Sequence, residues 1–414
     1  MAKVILTTCL IFVFLFTSCW TPMEPVFHSS MRELTESEKQ SVRAGNSFGI
    51  DLFRELSREQ SGENLFISPL SISMALGMAL NGAKGETFDE MRDVLKQSGL
   101  ELDEINKAYQ GLMSLFPYLD RTVTLDIANS VWYRSSFQVE RDFLDRLKNY
   151  FEAEVAGLDF SRPEAVDIIN NWVSQKTKKK INKIIDAIDP LTMMYLINAV
   201  YFKGTWTAEF DPKETRDDVF TRDNGAAIPI KMMQQANDFR YFGNDLLQAV
   251  DLPYGDGLFS MTILLPRNGI SVDEMVQNLT ETKWIDWMSS FAEDKKAIKI
   301  MLPRFTLEYR KGLVGVLHAL GMKKAFNPFE ADFSGISTQY DDLHISDVIH
   351  KTYLKVNEEG TEAAAVTAVV IGTTSVGPPS IPVIRIDRPF ILAIREHHSE
   401  SVLFIGKVHV PESE

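Results

Sequence analysis

For 22 consecutive residues, from Ala363 to Ile384, the chain carries no charge. The run cannot be a membrane helix, because Gly372, Gly377, Pro378, Pro379 and Pro382 break it well short of the ~20 apolar residues that a bilayer span needs. It is also a poor ordinary strand, since Ala and Thr offer little to pack and Gly360 marks a bend at its entrance. Yet Thr361 to Ile371 has small or β-branched side chains, no proline and no charge beyond Glu362, which is what the middle strand of a sheet requires. Loop chemistry flanks it on both sides, so the segment is composed to be strand or loop.

The rest of the chain is ordinary in bulk. With 414 residues, 45% of them hydrophobic, it can bury a large core without staples. The formal net charge of −14 argues against a nucleic-acid partner. The one dense basic run, Lys178, Lys179, Lys180 and Lys183, reads as the solvated face of a helix. Met1 to Lys3 is a short basic head, Val4 to Phe16 is almost wholly apolar, and Thr17-Ser18-Cys19 supplies small residues and then a cysteine. That pattern predicts a signal peptide over 1–18 and export. Small residues directly before Cys19 resemble a bacterial lipobox, although Phe16 stands where Leu is usual. The expectation is therefore a lipid on Cys19, outer-membrane anchoring on the periplasmic or surface face, and a tether over 19–34; without the lipid the chain is secreted. Removing residues 1–18 takes Cys9 away, so no internal disulfide can form, and the seven scattered histidines offer no zinc spacing. No metal or cofactor is expected.

From Thr35 the chain reads as one α+β domain over 35–414. Thr35 with Glu38 forms a capping box, Ser68-Pro69 opens a helix that Asn81-Gly82 closes, and Thr87 with Glu90 predicts the next cap. Ala165, Ile168, Ile169, Trp172 and Val173 form a helical stripe. Strands are predicted at Val123 to Ile127, Met194 to Phe202 and Leu258 to Leu265, with a terminal hairpin of Phe390 to Ile394 and Val402 to Val410. Helices dominate early and strands late, which favours α+β over an alternating parallel sheet.

Two motifs invite a catalytic reading. Gly45-Asn46-Ser47-Phe48-Gly49 matches the nucleophile-elbow pattern, but it follows a helix start instead of a buried strand, so a hydrolase using Ser47 is the weakest alternative. His350 stands among apolar residues and reads as a satisfied core histidine. His397-His398 falls in the polar hairpin turn, where exposure is expected. Asn278-Leu279-Thr280 is a glycosylation sequon by pattern.

At the uncharged segment the sequence resembles a serpin. EEGTEAAAVTAV (Glu358 to Val369) is similar to the hinge of that family's reactive-centre loop. In order and at family spacing come NLFISPLSISMAL (Asn64 to Leu76), NNWVSQKTKKKI (Asn170 to Ile181), LINAVYFKGTW (Leu196 to Trp206), LPYGDGLFSMTILLP (Leu252 to Pro266), LPRFTLEY (Leu302 to Tyr309), ADFSGIS (Ala331 to Ser337), DRPFILAI and LFIGKV. The resemblance implies a serpin fold with three β-sheets, about nine helices and an exposed reactive-centre loop at about 358–382. It implies a monomer with no catalytic residues of its own, a suicide inhibitor whose partners are target proteases.

Residue by residue, the resemblance places a hinge at Glu358, Gly360, Thr361, Glu362, Ala363, Ala364 and Ala365, and a polar shutter at Ser68, Ser71, Asn198 and His350. It places a breach at Trp206, Arg304 and Glu358. Two family spacings put the reactive bond between Thr374 and Ser375, with a bond after Ile371 or Thr373 as the alternative. If Thr361 to Thr374 became a strand, alternation would put Thr361, Ala363, Ala365, Thr367 and Val369 on one face, the buried one by analogy. Ala363 to Ile384 lacks Lys, Arg, Phe, Tyr, Trp and Leu. Elastase-like or subtilisin-like serine proteases are therefore the expected targets, with papain-like cysteine proteases second. A non-inhibitory serpin acting as a binding protein is the alternative.

Overall fold

The computed structural model describes residues 31–291, 294–340, 342–361 and 381–412. The signal peptide, Cys19, Glu362 to Ala365, Thr374 and Ser375 lie outside the described residues.

The first third is mostly helical: α1 (Glu36–Glu59), β1 (Leu65–Ile67), α2 (Pro69–Leu80), α3 (Gly85–Val94), α4 (Leu102–Leu115), β2 (Val123–Arg134), α5 (Arg141–Phe151) and β3 (Glu154–Leu158). Thr35 caps α1 as its sequence predicts, Oγ1 accepting from the Glu38 amide while Glu38 accepts from the Thr35 amide. Ser68 caps α2, with Pro69 at the first helical position. The expected cap at Thr87 is absent. Helix α3 begins at Gly85, and Thr87 is buried inside it, where its hydroxyl accepts from the Asp332 amide 2.9 Å away.

The remainder runs α6 (Glu164–Lys176), β4 (Met194–Thr205), β5 (Arg216–Thr221), β6 (Ala227–Gly243), β7 (Leu247–Tyr254), β8 (Phe259–Pro266), α7 (Val272–Gln277), α8 (Glu281–Ser289), β9 (Lys296–Pro303), β10 (Phe305–Gly312), α9 (Val314–Ala319), β11 (Ile349–Val356), β12 (Gly360–Thr361), β13 (Val383–Arg385), β14 (Phe390–Glu396) and β15 (Val402–Val408). Nine α-helices are thus present among the described residues.

The three expected sheets are present, two of them joined. Strand β6 pairs with β5 and β9 over its first part and with β7 over Arg240 to Gly243, so a nine-stranded sheet results, eight strands in the order β1-β15-β14-β8-β7-β6-β9-β13 and β5 off that path beside β6. The other sheet has the order β10-β11-β12-β4-β2-β3. The main core lies between this sheet, the β14–β15 hairpin and helices α1 and α2. A smaller apolar cluster covers the opposite face, where Ile169, Trp172 and Val173 of α6 meet Ile197 and Ala199 of β4 and, partly buried, Ile349 and Tyr353 of β11. Helix α6 stops at Lys176, so the basic run is not a helix face. Lys178 and Lys179 form a turn with positive φ of 49° and 66°.

Candidate functional site

The six-stranded sheet has a slot. Among the described residues β4 and β11 form no ladder with each other, and only the two residues of β12 stand between them. Gly360 faces Thr205 and Thr361 faces Gly204 on β4, while Thr361 faces Val356 on β11. Position 360 must be glycine here, because a Cβ would lie 2.1 Å from the Gly204 carbonyl oxygen.

A ring of bonds holds this end of the slot. The Trp206 amide donates to the Glu359 carbonyl and its indole Nε1 to the Asn357 carbonyl, both at 2.9 Å. Asn357 Oδ1 accepts from the Glu359 and Gly360 amides, which closes the turn from β11 into β12. Glu358 is buried and accepts from Arg304 and from the Thr215 hydroxyl, whereas the Arg304 side chain is half exposed. Burial would push the Glu358 carboxyl up, but those hydrogen bonds outweigh it and hold its pKa below the usual range. The Thr361 hydroxyl meets the Tyr254 hydroxyl at 2.5 Å. Nothing local in the sequence marks Tyr254, which stands there only within the stretch Leu252 to Pro266.

Farther along the slot the bonding is incomplete. His350 is buried and its Nε2 accepts from the Ser68 amide at 3.1 Å, while Ser68 Oγ donates to the Leu403 carbonyl and accepts from the Ser71 amide. Burial pushes the His350 imidazole down to about 3, so it stays neutral and can accept. Asn198 is not hydrogen-bonded to this group. Its amide donates to Asn129 Oδ1 at 2.8 Å, and its own Oδ1 is buried without a hydrogen-bond partner among the described residues.

A model of the serpin (serine protease inhibitor) family matches residues 43–411. The chain belongs to the serpin family. Human Serpin B8 is 37% identical to this serpin, over 89% of this chain and 98% of its own. The thermophilic serpin Tengpin in its native state superposes with a TM-score of 0.82 at 34% identity, covering 92% of this chain and 96% of its own. Human thyroxine-binding globulin, solved with its hormone bound, superposes with a TM-score of 0.82 at 28% identity, covering 91% of this chain and 100% of its own. Protease inhibition is thus the family's general activity.

The alternative catalytic readings find no geometry. Ser47 lies within α1, one residue before the fully buried Phe48, and not on a strand-to-helix turn. His397 is not the exposed turn residue expected. Its Nε2 lies 2.9 Å from Ser260 Oγ and 3.4 Å from Asp251, beside buried Arg395. Serine and aspartate both approach the same imidazole nitrogen, whereas nucleophilic catalysis needs them on opposite ones. Burial would raise the Asp251 carboxyl, but Arg395, His397 and Thr262 together hold it far below the usual range, which marks a structural ion pair.

Proposed function

We propose that the chain is a suicide-substrate inhibitor of endopeptidases, directed at elastase-like or subtilisin-like serine proteases, that traps the acyl-enzyme by inserting its own loop into the six-stranded sheet. The observation that carries this reading is the seat of Gly360 and Thr361 between β4 and β11, bonded to both. Carried on without a bulge, the two registers bring position 367 opposite Asn198 on β4 and His350 on β11, beside the unpaired Asn198 oxygen. Thr361 is buried, in agreement with the alternation that turns Ala363, Ala365 and Thr367 to the same side.

The protease serine attacks the Thr374 carbonyl, an ester forms, and Ser375 leaves as a free amine that takes up the proton. The freed segment then enters the slot before water cleaves the ester. Thr361 to Thr374 is 14 residues, which as a strand spans about 46 Å at roughly 3.3 Å per residue. If about ten new ladder bonds contribute ~0.5 to 1.5 kcal/mol each, insertion releases on the order of 5 to 15 kcal/mol before any burial. The native chain is then held by a kinetic barrier. Thr374 and its neighbours suit a small or shallow pocket, and papain-like cysteine proteases are a second target class.

Incubation with an elastase-like protease, followed by denaturing electrophoresis and mass spectrometry, tests the reading. A complex that survives denaturation, with release of the 40-residue fragment Ser375 to Glu414, is expected. Clean cleavage by every small-pocket protease tried, with no complex, favours the second reading, a binding protein without inhibition, for which the fold shared with thyroxine-binding globulin is the precedent.

We also propose export and a lipid anchor on Cys19, supported by the apolar run Val4 to Phe16 and the small residues before that cysteine. A Cys19→Ser chain should leave the membrane fraction; retention there would refute the anchor.

A further inference from the structure

We propose that the Tyr254 hydroxyl is a positioning group for strand insertion, holding Thr361 in the sheet before any protease arrives so that insertion starts from an end already formed. The proposal rests on the insertion reading above. Tyr254 ends β7, so it belongs to the nine-stranded sheet and not to the sheet that would receive the loop. Its ring is fully buried and fixed on several sides. It stacks on Trp206 with centroids 4.4 Å apart and planes 10° from parallel, and it meets Phe202 edge-on at 5.2 Å. It also covers Gly204, where a Cβ would lie 2.8 Å from the ring. A ring held in this way can put its hydroxyl in one place, and that place is 2.5 Å from Thr361 Oγ1. Burial pushes the phenol's pKa up, against a smaller opposing effect of the Thr361 hydrogen bond, so both hydroxyls are neutral and one donates to the other.

The consequence lies in the order of events. Starting a new strand fixes backbone before ladder bonds reward it, whereas extending one adds a bond for each residue fixed. Thr361 already sits opposite Gly204 and Val356, so the costly first step is complete in the native chain. After acylation, insertion competes with water for the ester. Loss of the Tyr254–Thr361 bond slows the start, and more of the inhibitor is then released as cleaved product.

The experiment measures moles of inhibitor consumed per mole of protease inactivated, for the wild type, Tyr254→Phe, Thr361→Val, Thr361→Ser and the double variant Tyr254→Phe/Thr361→Val. One ordinary hydrogen bond corresponds to about a fivefold slower start. The consumption in excess of one to one should therefore rise about fivefold in Tyr254→Phe and Thr361→Val, return to the wild-type value in Thr361→Ser, and rise no further in the double variant. A merely structural role would lower the native melting temperature and leave the stoichiometry unchanged, and that outcome, or additive effects in the double variant, overturns the proposal. If the wild type is cleaved without forming a complex, the rate at which the nicked chain gains heat resistance reads the same step. An unslowed gain in Tyr254→Phe overturns the positioning role. No gain in the wild type overturns the insertion reading, and the proposal with it.

Discussion

The two sheets of this serpin are built to opposite standards. In the nine-stranded sheet every residue of β8, β14 and β15 is buried and the ladders run without a gap through the middle. Its buried charged groups have partners, Lys407 with Asp273, Arg395 with Asp251, and Glu396 with the amides of His398 and Ser399. In the six-stranded sheet burial alternates along β11, two residues hold the slot, and a buried Asn198 oxygen has no hydrogen-bond partner among the described residues. One sheet is finished, and the other has, among the described residues, only the two residues of β12 between β4 and β11. On the insertion reading, stability and stored reactivity are thereby separated, since a mutation in the finished sheet should weaken all states alike while one beside the slot should change the difference between them.

The largest effect should come from completing the unfinished sheet. Cleavage in the loop of the native chain should raise the melting temperature by more than ~10 °C, given a release on the order of 5 to 15 kcal/mol. Ala365→Arg, which puts a long charged side chain on the face that must be buried, should abolish both this rise and complex formation and leave a good substrate. An unchanged thermal shift in that variant would show that the segment does not enter the sheet.

Leu392→Ala in β14 should cost about 2 to 5 kcal/mol, the usual range for a leucine removed from a core. Because both the native and the cleaved chain contain that sheet, denaturant titration should find the same loss in each. A loss confined to the native form would contradict the division of labour between the sheets.

A smaller effect separates the sheets by pH. The folded-state pKa of His350 is depressed to about 3 from 6.5, so the unfolded chain binds the proton first. The stability due to neutral His350 is complete above pH 6.5 and is lost as pH falls toward 3, with a slope of about 1.4 kcal/mol per pH unit. The carboxyl of Asp251 is also depressed, so its contribution is intact above its unfolded value of 3.8 and falls only below that. Between pH 6.5 and 4, His350→Gln, which retains an acceptor for the Ser68 amide, should flatten the decline in urea midpoint, and an equal decline in both chains would remove His350 as its cause. The smallest effect should be at the turn after α6, where Lys179→Gly should stabilise the native chain by about 0.5 to 1 kcal/mol by relieving a left-handed lysine.

What was legible in the sequence was local. The caps at Thr35 and Ser68, the α6 stripe, the terminal hairpin and the burial of His350 follow from residue types a few positions apart. Ile168 departs from the stripe by being partly exposed, because the small cluster is narrower than the apolar face. The double membership of β6 was not legible, since nothing in the alternation of one strand reports which neighbour each half will have. Thr87 misled because its hydroxyl serves Asp332, 245 residues away, instead of its own helix. His397 misled for the same reason, its partners Ser260 and Asp251 being set by sheet order. Position 360 was legible as a bend, but the reason for glycine there is the close approach of the β4 backbone, and the role of Tyr254 needed the fold to bring it to Thr361.

The place of the last hairpin also sets a timetable for synthesis. Strands β14 and β15 lie between β1 and β8, and Ser68, just after β1, donates its hydroxyl proton to the Leu403 carbonyl 335 residues later. At about 5 to 20 residues per second the ribosome needs on the order of 20 to 70 s between those two positions. For that interval Leu65 to Ile67 has no partner strand, and the finished sheet cannot close until nearly the whole chain has been made. A nascent chain of this kind is exposed to chaperones and to wrong strand partners for most of its time on the ribosome, and a premature stop before Val402 removes β15, the strand that joins β1 to the rest of its sheet, and not merely a tail.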